Sequence, residues 1–363
     1  MWRWKRPERL ATAAGTLAVA TAGGAAAAAV GLPMPWLIGS QVTLCLVALL
    51  RLPIFGHPPC WPRAGREIFL PVIGVMIGAS FTADVVRQMP HWWISLAAIS
   101  VFLVVAHLAV FALFRRVGGY DRPTAFFAAF PGGFIEATVL GTEAGGNQRL
   151  IQIQHFLRIS LIVLLVPPVF AWLSGHPVGS AAGAALNGPG SGLSLSDALV
   201  LLAAGAAGTL IGRRLRIPAP DISGAIAGSA AVYLAGLVEG RLPAPVVALA
   251  QLMVGTSLGV AFVGIDHREL GRALGMAAVA LAAVAALGLA FAGALAALAG
   301  LPLPTTVLAF APGGLAEMSL IALSLHLSVP FVTVHHLYRI VFTIAVLPRL
   351  YGLVAAGPAP PGG

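Results

Sequence analysis

Charge is what this sequence has least of. Only 9% of its 363 residues are Asp, Glu, Lys or Arg, where a soluble domain carries roughly a quarter. A chain this poor in charge cannot coat a water-facing surface, which excludes a soluble globular fold. Cysteine is scarce too. Cys45 lies in an apolar run and Cys60 in a loop, without metal or redox spacing, so no disulfide framework is expected. There is no phosphate loop, zinc spacing, nucleophile elbow or dinucleotide fingerprint. No cofactor and no metal are therefore implied, neither an enzyme nor an ATP-driven pump is expected, and no stretch has room for a helix-turn-helix domain. The net charge of +9 sits in short Arg clusters between apolar runs, which reports topology and gives no reason to expect nucleic acid as a partner.

What the chain does have is apolar length. It is 59% hydrophobic with mean hydropathy +0.94, and its 43 Gly and 27 Pro suit membrane helices that pack closely and break in places. The solvent is a lipid bilayer, and the expected fold is an all-α polytopic membrane protein. The opening MWRWKRPERL and the Ala-rich run behind it have the outline of a signal peptide. The segment that follows has a copy in mid-chain, also preceded by an apolar helix, so the first run reads as a mature transmembrane helix.

The chain repeats itself. Phe130-Pro131-Gly132-Gly133-Phe134-Ile135-Glu136-Ala137 recurs as Ala311-Pro312-Gly313-Gly314-Leu315-Ala316-Glu317-Met318, an offset of 181. At the same offset His155-Phe156-Leu157-Arg158-Ile159 matches His336-Leu337-Tyr338-Arg339-Ile340, Pro167 matches Pro348, and Gly74, Gly78 and Phe81 match Gly255, Gly259 and Phe262. Upstream, Leu32-Pro33-Met34-Pro35 and Gly39 resemble Ile217-Pro218-Ala219-Pro220 and Gly224 at an offset of 185. The expected organisation is a first membrane repeat at 1–174, a periplasmic linker at 175–195 and a second repeat at 196–363. Apolar runs predict helices at about 10–30, 35–50, 67–84, 92–114 and 151–172, then at about 196–212, 221–238, 245–264, 272–299 and 331–352. Between the fourth and fifth of each half lies the interrupted Pro-Gly-Gly segment, about 124–147 and 305–328.

The basic residues set the topology through the positive-inside rule. If both interrupted segments re-enter, Arg87 and Arg241 alone fall outside, Arg158 and Arg339 lie within helices, and the rest of the 21 Lys and Arg are cytoplasmic. If both crossed, the Arg213 cluster, Arg149, Arg268 and Arg272 would move outside. Re-entry is the better fit. Five spans per half is odd, so the second half is inverted relative to the first. The expected location is the bacterial inner (plasma) membrane, multi-pass, with the N-terminus cytoplasmic. Paired broken segments in inverted repeats point to a transporter site near the midplane.

Pro131, Gly132 and Gly133, like Pro312, Gly313 and Gly314, free backbone groups that lipid cannot satisfy. Glu136 and Glu317 then fall in the first turn of the helix that resumes. Each serves there as a cap, or as a carboxylate for substrate, proton or cation. His155 and Arg158 share a helix face, as do His336 and Arg339. Either each Arg is a clasp tied to Glu136 or Glu317, or its fork binds an anionic substrate while the His relays protons. His335 replaces Gln154, so the site is at most pseudo-symmetric. Gln152 and Thr333 are weaker candidates on the same helices. Thr124, Thr138, Thr305 and Ser319 are expected to satisfy freed backbone. His107, Asp84 and Asp266 are not repeated in kind and are given no role.

The duplicated Pro-Gly-Gly-x-x-Glu with His-x-x-Arg on the next helix resembles the bacterial AbrB-type integral membrane family, the AbrB duplication proteins, from about Ala11 to Tyr351. Members carry labels such as putative ammonia monooxygenase or AbrB family transcriptional regulator. A copper oxygenase would need His clusters at ligand spacing, and the similarly named swapped-hairpin transcription factor is small and soluble. The resemblance brings no residue roles with it. Two functions are carried forward: an ion-coupled secondary transporter of a small polar or anionic metabolite, and a membrane regulator of gene expression acting through a partner. Expected partners are the lipid bilayer and a small molecule or ion. The oligomeric state, a homo-oligomer included, is open.

Overall fold

Apolar runs become helices, and Pro, Gly and left-handed residues set where they stop. The computed structural model describes residues 6–174 and 192–355, so most of the linker lies outside the described residues. The first half forms α1 (Arg6–Ala29), α2 (Pro35–Leu49), α3 (Arg63–Gly78), α4 (Ala83–Gln88), α5 (Trp93–Arg116), α6 (Arg122–Ala128), α7 (Phe134–Glu143) and α8 (Gln148–Ser174). The second forms α9 (Leu195–Arg214), α10 (Pro220–Leu234), α11 (Ala244–Val260), α12 (His267–Ala299), α13 (Leu303–Phe310), α14 (Leu315–Ser324) and α15 (Val329–Ala355). The β pairing among the described residues is a single bridge between Ile54 and His57. Both thiols, Cys45 and Cys60, are free.

Six stretches are long and apolar enough to cross a membrane: Glu8–Ala29, Ala83–Arg116, Gln148–Phe170, Leu195–Arg214, His267–Ala299 and Val329–Gly352. The protein is a polytopic all-α membrane protein. The second and third helices of each half are shorter than the sequence suggests. α2, α3, α10 and α11 have 15, 16, 15 and 17 residues, or about 22–26 Å of rise against a hydrocarbon core of ~30 Å. Proline sets two of these limits. Pro35 and Pro220 occupy the first turn of α2 and α10, behind left-handed residues Met34 and Ala219, each with φ 48°.

The repeat extends to backbone conformation. Left-handed residues pair across the halves as Gly31 with Arg216, Met34 with Ala219, Arg51 with Gly236 and Gly145 with His326. Several of these positions carry a side chain where the other copy has glycine, which costs the L-residue about 1–2 kcal/mol.

The chain divides into two compact units that cut across the repeats. The first takes Met1–Gln88, Ile162–His267 and Ala316–Pro330; the second takes Met89–Leu161, Arg268–Leu315 and Phe331–Gly363. Apart from α14 and the second half of α8, which lie in the first unit while their counterparts lie in the second, each draws on corresponding parts of both halves.

The first unit is held by glycine contacts. A Cβ on Gly23 would meet the Gly39 carbonyl at 2.7 Å, and one on Gly208 would meet the Gly224 carbonyl at 2.1 Å. These pair α1 with α2 and α9 with α10, antiparallel in both cases. The repeated glycines make the remaining contacts. Gly74 and Gly78 press against Ile222–Ala225 and Ile226–Ala230, and Gly255 and Gly259 press against Leu37–Ser40 and Gln41–Cys45. Both registers ascend together, so α3 runs parallel to α10 and α11 runs parallel to α2. Small residues let backbones approach this closely, which is how helices associate where lipid removes the hydrophobic drive.

The second unit contains α5, α6, α7, α12, α13, the first half of α8 and most of α15. Its core is aromatic, with Phe126 stacked edge-on to His107, Phe111 and Phe127 and Phe102 packed on Phe291 and Phe310.

Candidate functional site

The first interrupted segment is a hairpin. Asp121 caps α6 by accepting from Thr124 N at 2.9 Å, and α6 runs for 7 residues before the chain opens. Gly133, with φ 67°, starts the 10-residue α7. At the far end Asn147 N donates to Thr124 Oγ1 at 2.7 Å, and Gly146 packs on Pro123 and Thr124. Midway, Gly141 packs on Phe127. The segment therefore returns to the level at which it began. Thr124 holds the two ends together, satisfying loop backbone as expected of it, while Thr138 donates to Phe134 O one turn back at 2.8 Å. The second segment is likewise interrupted, with α13 of 8 residues and α14 of 10 on either side of Ala311–Gly314. At about 1.5 Å per residue none of these four helices can span lipid alone.

The His-x-x-Arg pairs grip the open backbone, and they do so twice. His155 Nε2 donates to Phe127 O at 3.1 Å, and His336 Nε2 donates to Leu308 O at 3.1 Å. One turn on, Arg158 binds Phe130 O, while Arg339 binds Ala311 O at 2.6 Å and also Gly313 O. Phe127 O and Leu308 O also accept from Phe130 N and Ala311 N at 3.3 Å in the last turns of α6 and α13, while Phe130 O, Ala311 O and Gly313 O lie in the open backbone beyond them. His155 and His336 are fully buried, and Arg339 is 2% exposed. The ion pairs among the described residues are Arg87–Asp84, Arg149–Glu269 and Arg213–Asp221; Arg158 and Arg339 are in none of them.

Both breaks reach the same place in the second unit. Pro131 and Pro312 line one small cavity together with Arg158, Gln154 and His107. Gly132 packs on Ile340, and Arg339 Nε lies 3.9 Å from where its Cβ would stand. The two guanidinium groups are near enough to feel each other's charge. The cavity has a volume of about 30 Å³, room for little more than a water molecule.

The family follows from comparison with known proteins. The family described as "Transition state regulatory protein AbrB" matches residues 36–355, including both breaks and both His-x-x-Arg helices. The chain belongs to the AbrB family. It is 25% identical over 369 residues to "Uncharacterized protein YhjN" of Bacillus subtilis (strain 168), covering 96% of this chain and 95% of that protein. It is 24% identical over 300 residues to "Putative regulator AbrB" of Escherichia coli (strain K12), covering 81% and 82%.

In this AbrB-family chain the sequence candidates separate. The two Pro-Gly-Gly breaks, His155, His336, Arg158 and Arg339 come together in the second unit. Glu136 folds back over its own helix start, its carboxylate 3.2 Å from where a Gly133 Cβ would be. Glu317 is 3% exposed on α14 and belongs to the first unit. Thr333 is buried on α15, and Asp84 pairs at the surface with Arg87. His335 is saturated by Phe331 O at 2.7 Å and Ser95 Oγ at 2.8 Å. His107, given no role from the sequence, lines the cavity. Its signal was weak: a histidine in the middle of an apolar helix, with Gly288 at the corresponding place in the other half.

Proposed function

We propose that the protein is an ion-coupled secondary transporter of a small polar or anionic metabolite, in the bacterial plasma membrane with its N-terminus in the cytoplasm. The observation that carries this is the meeting of the two breaks, one from each half, on one cavity lined by Pro131, Pro312 and Arg158. Non-helical backbone at membrane depth is tolerated where it is enclosed by protein or lines a cavity, and transporters place solute sites at such breaks. Arg158 and Arg339 fix the break carbonyls and offer positive charge to the solute. Glu136, and Glu317 by its equivalent place in the repeat, carry the coupling ion.

Helix directions in the first unit support an inverted repeat. Cys60, just before α3, donates its N–H to Thr16 Oγ1 at 3.2 Å and its thiol to Arg9 O at 3.8 Å, both on α1, so α3 starts at the end where α1 starts and runs antiparallel to α2. In the same way Gly240, just before α11, meets Asp197 at the start of α9, so α11 runs antiparallel to α10. Since α3 is parallel to α10, α2 and α10 run in opposite senses. With the cavity holding about one water, the described state is closed, and transport in this scheme needs an opening motion.

The test is uptake into proteoliposomes, with a panel of small carboxylates and polar solutes, with and without a proton or sodium gradient. Gradient-dependent accumulation supports transport; unchanged flux in Glu136→Gln and Glu317→Gln removes the carboxylates from the mechanism. The second reading, a membrane regulator acting through a partner and not a transporter, is favoured by the name of the Escherichia coli relative, "Putative regulator AbrB". A deletion that alters transcripts, alongside liposomes that move no solute, would select it.

A further inference from the structure

We propose that the cavity between Pro131 and Pro312 binds a single small anion that also carries a hydrogen-bond donor, as a 2-hydroxycarboxylate or hydrogencarbonate does, and that His107 and Gln154 read it together with Arg158. This rests on the broken helices being the solute site, and it names the class of solute.

Three side chains line this cavity with buried polar atoms that have no partner. Arg158 Nε is unpartnered, although the same guanidinium binds Phe130 O. Gln154 is 2% exposed and its Oε1 is unpartnered. His107 is fully buried with T-shaped contacts to Phe126 and Phe130. No hydrogen bond closes on either of its ring nitrogens; the Ala129 carbonyl beside the ring could serve one of them, which leaves the other free. Buried polar groups are nearly always satisfied, so this set calls for an occupant: a water molecule while the cavity is closed at about 30 Å³, and the anion once the cavity widens.

The chemistry of the set limits what that occupant is. Arg158 offers an N–H and a positive charge that no carboxylate of the described residues pairs with, which calls for an anion. Gln154 offers the opposite, an acceptor. Its amide cannot be turned over, because Nε2 donates to Ala273 O at 3.2 Å and to the Tyr120 hydroxyl at 2.7 Å, and the flipped amide would set two carbonyl oxygens against each other. A simple anion would be repelled at Gln154 Oε1. An anion bearing O–H or N–H would satisfy Oε1 and Arg158 together, with His107 able to donate or accept. The set occurs once per chain: the counterpart of Gln154 is His335, already saturated, and the counterpart of His107 is Gly288.

The test is thermal stabilisation of the purified full-length protein in detergent, followed by tryptophan fluorescence, with size-matched anions at constant ionic strength. Glycolate is compared with acetate, and hydrogencarbonate with nitrate. The donor-bearing member of at least one pair should bind about tenfold more tightly or better, as expected where a buried acceptor is left unpaired by the analogue. Gln154→Met should abolish the preference within the pair, and Arg158→Gln should remove the response to both members. His107→Phe, which keeps the ring packing, should weaken the preferred anion. Equal response to glycolate and acetate and to hydrogencarbonate and nitrate, or no response to any, overturns the proposal and leaves water as the occupant. Preferential binding without gradient-driven flux would instead overturn the transporter reading and leave the anion site standing.

Discussion

Gly208 and Gly224 sit in the first unit with no room for a Cβ between their backbones, while Gly132 and Gly133 sit in the second where the backbone leaves its helix. The same residue type closes one region and opens the other. In the first unit α2, α3, α10 and α11 are short, and close glycine contacts join them to one another and to α1 and α9. In the second, the helices beside the breaks are long, and the helix-ending carbonyls are taken by His and Arg side chains from α8 and α15. The difference teaches where each unit's weak point lies: the first depends on shape, the second on a few charged hydrogen bonds.

Breaking the second unit should have the largest effect on flux. Arg158→Ala and Arg339→Ala each remove a charged donor from a buried carbonyl, an interaction of about 1.5–3 kcal/mol, so proteoliposome flux should fall about 10- to 100-fold. Lysine should not rescue Arg339, because a single ammonium cannot reproduce the fork that spans Ala311 O and Gly313 O. Breaking the first unit should act on stability instead. Gly224→Leu forces α9 and α10 apart at a contact of 2.3 Å to the Gly208 carbonyl and should cost about 1–3 kcal/mol, read as a lower melting temperature with flux per folded molecule retained. His155→Phe and His336→Phe should each cost about 1 kcal/mol by removing the side-chain hydrogen bond to Phe127 O or Leu308 O, and equal costs would show that the two clasps are energetic copies. The smallest effect is a gain. Arg51→Gly and His326→Gly place glycine at left-handed positions where the other half already has it, and should each stabilise by about 1 kcal/mol with flux unchanged.

Much of this was legible in the sequence because duplication makes spacing informative. The offset of 181 linked Pro131 to Pro312 and Arg158 to Arg339 before any coordinates did, and low charge made the membrane assignment. What the Arg residues bind was not legible. Their partners are carbonyls of Phe130, Ala311 and Gly313, and backbone acceptors leave no trace in side-chain sequence. The glycine contacts were visible as repeated Gly74 and Gly255, but not which helix each would face. Helix length was misjudged at α10 and α11, because the apolar run continues past Leu234 and Val260, where these helices end. His107 and Gln154 were given no role in the site because the repeat was the guide, and both are places where the repeat fails.

The central claim is that the two breaks form one working centre. Gradient-driven uptake of the small-anion panel into proteoliposomes tests it most directly, comparing the wild type with Arg158→Ala and Arg339→Ala reconstituted at equal folded protein. The account predicts that the wild type accumulates at least one donor-bearing anion and that either substitution, in either half, abolishes most of that uptake. Uptake that survives both substitutions, or a wild type that accumulates no member of the panel under any gradient, would contradict it.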